Sequence, residues 1–370
     1  MLFLLTSTNE PYIHDVLDLL FLPSGIDYRF RYHRQWIPDE FQSDEKLKSL
    51  HGVEGFAIHI DTKKYEERLS SEEPDVYEIR EFIPIRKVCI REAEFFGEFL
   101  WVSFTLGDWV YYREEAKRGV PNEHHETFRR ATPQVSQGKV TKIFYEVEHF
   151  KVETIPDDFS GKSARTNSNW FRIVSHISKL EAHAVKQTIF MKLWRIAEGG
   201  TTCIEPAELP GGFTGYFLDS NKHYFVDVLQ FLPYGSPKTP IGFSVQTDSR
   251  IVRELKPQDT VQGKYDLLRM ILQCKQVSRD ENSFMRFLPT DQHQHMMASN
   301  LIHIRVRHSL TALILSCAVR SILTFLGVLL AGMSSQLSSG QPLNTSVLTL
   351  SAVGAVLVMF ASLWSGLSQQ

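Results

Sequence analysis

The residues best placed to do chemistry lie in one short run, Tyr28-Arg29-Phe30-Arg31-Tyr32-His33-Arg34-Gln35-Trp36. Through His33, aromatic and basic residues alternate with a period of two, as side chains do on a β-strand. Tyr28, Phe30 and Tyr32 then face one way and Arg29, Arg31 and His33 the other, with Arg34 directly after them. A guanidinium is planar, permanently charged and rich in N–H donors. A row of three can therefore contact phosphate oxygens or stack on nucleobases. A half-buried strand with a solvated basic face accounts for the same pattern and is the plainer reading. A second stretch, Lys162, Ser163, Arg165, Thr166 and Asn167, offers further phosphate contacts, and its composition is equally that of a linker. Ligand-binding expectations thus fall on Arg29, Arg31, Arg34, Lys162 and Arg165.

Signatures of catalysis or metal binding are weaker. Gly161-Lys162-Ser163 ends like a P-loop, but the upstream glycine position holds Pro156. His293 and His295 supply two ligand types beside Met296 and Met297, with no third or fourth ligand placed by spacing. His124-His125-Glu126 lacks the second histidine of an HExxH zinc site. No GxSxG, paired-aspartate nucleotidyltransferase or Cys/His signature occurs. The expectation is no enzyme, no metal and no cofactor, although catalytic groups can assemble in space rather than in sequence. Cys89, Cys203, Cys274 and Cys317 form no CxxC pair, a pattern that fits reduced thiols.

The elements that must position these residues read as mostly β. Residues 1–6 suggest a strand rather than a signal peptide, because no basic region precedes them. A helix is expected over 11–20, with Asn9 as its cap, and another over 43–51, followed by a strand at 53–60. Strand-like runs fill 77–112, broken by Gly97 and Gly107, and a further strand is expected over 143–153. The polar stretch 157–169 marks a boundary. Beyond it, strands are expected at 170–177, 188–196, 215–218, 224–231 and 241–245, with 219–222 as a hairpin turn. The segment 264–276 fits helix or strand. This divides the chain into a β-rich unit at 1–156, a second at 170–295 and a connector at 296–308. The fold class expected is mainly β (α+β), in two cytoplasmic units.

Charge is distributed unevenly. The formal charge of −3 is near balance, yet no Asp, Glu, Lys or Arg follows Arg320 in the last 50 residues. Two apolar runs, at about 309–333 and 347–364, have the length a membrane-spanning helix requires, roughly 20 residues. They suggest a C-terminal transmembrane hairpin. Arg305 and Arg307 before the first run place both termini on the cytoplasmic side of an inner membrane. Ser316, Arg320, Thr324 and Gly327 recur at helical spacing and would form a polar stripe, either lining a pore between several chains or packing within one hairpin. Arg320 alternatively snorkels to the interface.

By this layout, chiefly residues 309–370, the chain resembles the membrane effectors of bacterial anti-phage defence systems, a group that includes the channel effector of the Hailong type. That resemblance implies a homo-oligomeric channel in the lipid bilayer, gated by a cytoplasmic sensor. It further implies a nucleotide or oligonucleotide ligand and a partner enzyme that makes it. A membrane-anchored scaffold without a pore is the alternative, and a tethered enzyme a third.

Overall fold

The computed structural model describes residues 1–7, 12–64, 77–113, 120–131, 144–146, 150–156, 168–180, 183, 188–234, 241–255, 259–261, 264–289, 297–298, 301–308, 322, 326, 349, 353–354 and 356. The fold is mainly β, with three sheets among these residues. The first sheet has the spatial order β2 (Asp27–His33), β5 (Phe99–Val110), β4 (Tyr77–Phe96), β3 (Glu54–Lys64), β1 (Leu2–Ser7) and β6 (Phe144–Glu146). A short β7 (Thr154–Ile155) also pairs with β5. β1 runs parallel to β3, and Leu2, Phe3, Leu4 and Leu5 in succession are buried. An unbroken apolar run of this kind is what a strand covered on both faces requires. By contrast, β5 alternates, with Leu100, Val102 and Phe104 buried and Phe99, Trp101 and Ser103 half-exposed.

The second sheet has the order β14 (Val252–Glu254), β16 (Tyr265–Cys274), β12 (His223–Phe231), β8 (Phe190–Glu198) and β9 (Thr202–Ile204). Its register is marked by buried Asp227 in the central strand. Asp227 faces Arg195 on β8 and Arg269 on β16, and accepts from their Nε atoms at 2.8 and 2.7 Å. The third sheet has the order β10 (Ala207–Leu209), β11 (Phe213–Asp219), β18 (Ile302–Arg307), β17 (Glu281–Pro289), β13 (Ile241–Thr247) and β15 (Asp259–Val261).

Several local expectations change. The first helix, α1 (Ile13–Phe21), begins after Tyr12, without a side-chain cap, and Asn9 lies outside the described residues. The short helix α2 (Asp44–Lys48) is capped by Ser43, whose Oγ accepts from Lys46 N. Gly107 lies inside β5 rather than breaking it. The strand expected over 143–153 is reduced to β6 among the described residues. The expected strand at 170–177 is a helix, α4 (Asn169–Ile177), following α3 (His125–Ala131). Trp170, Ile173, Val174 and Ile177 are spaced for one helical face and all are buried. Ser168 Oγ accepts from Phe171 N, so an N-cap overrides the β-branched composition. Residues 219–222 are no hairpin, because β11 and β12 belong to different sheets. Asn221, at φ 63°, turns the chain between them. The undecided segment is β16.

Among the described residues, no helix is long and apolar enough to cross a membrane. That overturns the expected transmembrane hairpin, the inner-membrane placement and the channel architecture that rested on them. The runs at 309–333 and 347–364 contribute only Ile322, Leu326, Thr349, Val353, Gly354 and Val356, each helical. Window hydropathy reports avoidance of water, not the presence of a spanning helix. Ser316, Arg320, Thr324 and Gly327 lie outside the described residues, and no pore is assigned to them.

One buried cation ties α1 to the first sheet. Arg86 of β4 is fully buried and uses all five N–H donors. Nε and Nη2 reach Gly107 O at 3.1 and 2.9 Å, and Nη2 reaches Ser24 Oγ at 2.6 Å. Nη1 donates to Leu19 O and Leu22 O at the C-terminal end of α1, where the helix dipole favours a cation. The guanidinium lies 4.1 Å from the Trp109 ring centroid. On the other side of α1, Trp170 Nε1 donates to Leu20 O at 2.9 Å.

Arg86→Met should therefore leave several buried carbonyls without donors and cost roughly 3–5 kcal/mol. Urea unfolding measures this, and a loss below 1 kcal/mol would show that the clamp is dispensable.

A second buried cluster joins β3, α4 and the residues after it. His59 and His183 are fully buried with ring centroids 6.0 Å apart, and both ring nitrogens of His59 and Nε2 of His183 have no hydrogen-bond partner among the described residues. His176 Nε2 lies 2.8 Å from Glu81 Oε2. Burial holds His59 far below the usual histidine value, helped by His183 and His176, and lowers His183 to about 4. The unfolded chain therefore takes up protons first, and stability falls as pH drops from about 6.5 towards 4. His183 alone accounts for roughly 3 kcal/mol of this loss. Asp15, raised to about 7 chiefly by burial, acts in the opposite sense. The comparison with a variant isolates the histidine contribution. His59→Leu should match or exceed wild-type stability at pH 7.5 and show a shallower loss on acidification. Parallel stability curves for the two proteins would refute the cluster's role.

Candidate functional site

The functional face is built by three antiparallel strands at one edge of the first sheet. The register sets Arg29 opposite Ser103, Arg31 opposite Trp101, and His33 opposite Phe99. The next strand continues all three rows, with Glu92 beside Ser103, Glu94 beside Trp101 and Phe96 beside Phe99. The inward side chains of β2, Phe30 and Tyr32, are buried, so Arg29 and Arg31 must point outward. The arginines are stacked on aromatic rings. The Arg29 guanidinium lies 4.5 Å from the Trp101 centroid, Arg31 lies 4.9 Å from Phe99, and Arg34 lies 4.1 Å from Phe95. Each contact contributes about 0.5–1 kcal/mol at an exposed position and fixes the plane of the guanidinium. Phe96 at the sheet's end is 79% exposed.

Arg29 also meets Glu94, with Nη2 to Oε1 at 2.8 Å and both side chains about half exposed. Such a pair is worth only about 0–1 kcal/mol and exchanges readily with a competing anion. A stacked guanidinium offers its N–H edge to phosphate oxygens and its outer face to a base. The row therefore combines the two kinds of contact that single-stranded nucleic acids make with proteins.

Arg29 further lines a cleft of about 830 Å³ between the first and third sheets. From the first sheet come Asp27, Tyr28, Arg91 and Glu92. The opposite wall carries the Gly211-Gly212 turn, Phe213, Arg286 and His303. The two glycines have φ values of 102° and 79°, a conformation that a side chain would strain. Arg91 Nε donates to Thr105 Oγ1 at 2.8 Å and lies 3.8 Å from Asp27.

Of the residues singled out in the sequence, Arg29, Arg31 and His33 are brought together on this face, while Arg34, just beyond the strand, stacks on Phe95, a ring that packs on the core side of the sheet. Lys162, Arg165, His293 and His295 lie outside the described residues. His124 and His125 serve the scaffold: His124 Nε2 is 2.8 Å from Tyr111 O, and His125 Nδ1 accepts from Phe82 N. Among the described residues no group of three or more His, Cys, Asp or Glu is arranged to hold a metal ion. Sequence reasoning missed Trp101, Phe99, Arg91, Arg286 and Phe213. The alternation of Phe99-Leu100-Trp101-Val102-Ser103 carried the signal for the aromatic half of the face.

No family model and no curated protein matches this chain, so nothing supports the defence-effector resemblance drawn from the C-terminal layout. One solved structure, a Bacteroides ovatus GH5 xyloglucanase in complex with a XXXG heptasaccharide, is similar over 29% of this chain and 19% of its own. Its identity is 6% and its TM-score 0.17, too slight an overlap to bear on fold or activity.

Proposed function

We propose that this chain is a binding protein for a phosphate-bearing ligand, a nucleotide or oligonucleotide, held on the Arg29–Arg31 face, with Arg34 at its end. The observation that carries this reading is the pair of outward guanidinium groups, Arg29 and Arg31, each stacked on an aromatic ring at an exposed sheet edge, with Arg34 stacked on Phe95 just beyond the strand. Alternate residues of a strand are about 6.6 Å apart, close to the spacing of phosphates along an extended single strand. The aromatic rings beneath hold the donors in plane, so less side-chain freedom is lost on binding than for solvated arginines.

Replacing Arg29 and Arg31 together with alanine should weaken binding of a short labelled oligothymidylate about 10- to 100-fold. It should also flatten the salt dependence by roughly 1–2 in slope, because fewer counterions are released. Fluorescence anisotropy across a salt series reads both. Unchanged affinity and slope would return these arginines to the role of a solvated face. Glu94→Gln should act in reverse, tightening binding a fewfold and steepening the slope while changing stability by less than about 1 kcal/mol. A loss of affinity in that variant would count against the reading.

A further inference from the structure

The cleft beside Arg29 has a composition unlike the row that leads to it. We infer that it receives the terminal nucleotide of a single strand lying along the arginine row, an inference that rests on the reading of that row as phosphate-binding. The row and the cleft share Arg29 and are therefore one continuous surface.

A strand that follows β2 from Arg34 towards Arg29 cannot pass straight on. At Asp27 the backbone N–H donates to Thr214 Oγ1, joining the start of β2 to β11 and closing the path between the sheets. The end of the strand turns into the cleft instead.

On the far wall stands Arg286, whose Nε is out of contact with water and has no hydrogen-bond partner among the described residues. A buried donor left unpaired costs about 1–3 kcal/mol, and an anion that draws the guanidinium to it removes that cost. Phe213, 57% exposed at the Gly211-Gly212 turn, lies 5.0 Å from the His303 ring at a 31° tilt. An exposed ring at the wall of a polar cleft is a surface on which a base can stack.

The acids of the cleft then limit what enters. Asp27 accepts from Thr105 Oγ1, and Asp18 from Tyr28 OH, so both are engaged. Glu92 and Glu208 are exposed. They can accept from the amino groups of a base, and with Asp18 and Asp27 they set four carboxylates against Arg29, Arg91 and Arg286, so the lining has no spare positive charge for a run of phosphates. The cleft thus suits one nucleotide with its single phosphate rather than a continuing chain.

The experiment compares a linear oligothymidylate bearing terminal phosphates with a covalently closed circle of the same length, by anisotropy at one salt concentration. The linear strand should bind wild type about tenfold more tightly, and Arg286→Gln should bring it to the level of the circle while circle binding is unchanged. The Arg29 and Arg31 double variant should weaken both. Equal binding of circle and line to wild type overturns the inference, as does an Arg286→Gln variant that weakens both strands alike. Binding of neither strand to wild type overturns the reading of the arginine row itself. Phe213→Ala supplies an independent check if Arg286→Gln fails to fold, since it should likewise lower only the linear strand's affinity.

Discussion

The guanidinium of Arg86 is the contact on which the arrangement of the first sheet depends. A charge removed from water must be met by dipoles or counter-charge, and here the carbonyls at the end of α1 and of Gly107 supply it. Those carbonyls belong to two segments that also meet through Gly25 N to Leu106 O and Leu106 N to Ile26 O, and Arg86 adds the end of α1 to that junction. Their convergence fixes where the polypeptide leaves α1, hence where β2 starts and which way its outer face looks. Trp109 extends the same centre towards the second sheet. Its ring carries Arg86 on one count and the Lys192 Nζ of β8, at 5.1 Å, on another. The polar interior therefore couples sheets that apolar packing alone would hold less specifically.

The outer row of arginines is set by an inner row of rings. Tyr28, Phe30 and Tyr32 meet edge to face at 5.7 and 5.8 Å, and Phe30 meets Phe104 of the adjoining strand at 4.9 Å. Edge-to-face contacts have defined geometry, so they hold the pleat of β2 against that of β5. The outward Arg29 and Arg31 then fall beside Trp101 and Phe99 with no further adjustment. Rigidity on the buried side is what allows long, flexible side chains on the other to act as a fixed array.

Much of the first sheet was legible because its pattern has the period of the structure it forms. Alternation in 28–33 revealed both the strand and the side on which its cations stand. What was not legible lay in partners distant along the chain. Arg29 sits beside Trp101 only through register, and Arg286 faces the same cleft through the approach of two sheets. The helix at Asn169–Ile177 was misread because Trp, Ile and Val favour strands by composition, while the Ser168 cap and the spacing of buried positions decide otherwise. The C-terminal runs show the opposite error, in which length and hydropathy were taken for an architecture that the described residues do not form.

The parallel pairing of β18 with β11 has a consequence for how the chain is made. Gly215 pairs with His303, and β18 lies between β11 and β17, forming ladders with both. During synthesis, β11 leaves the ribosome well before the strand that joins it to β17, whereas β17 ends at Pro289, shortly ahead of Ile302. Until it arrives, each presents an open ladder of N–H and C=O groups, the kind of edge that captures neighbouring chains. The third sheet is thus completed last, by a strand close in sequence to β17 and far from β11. A ribosome that stalls before residue 302 would release a chain with two sticky margins rather than a smaller version of the fold.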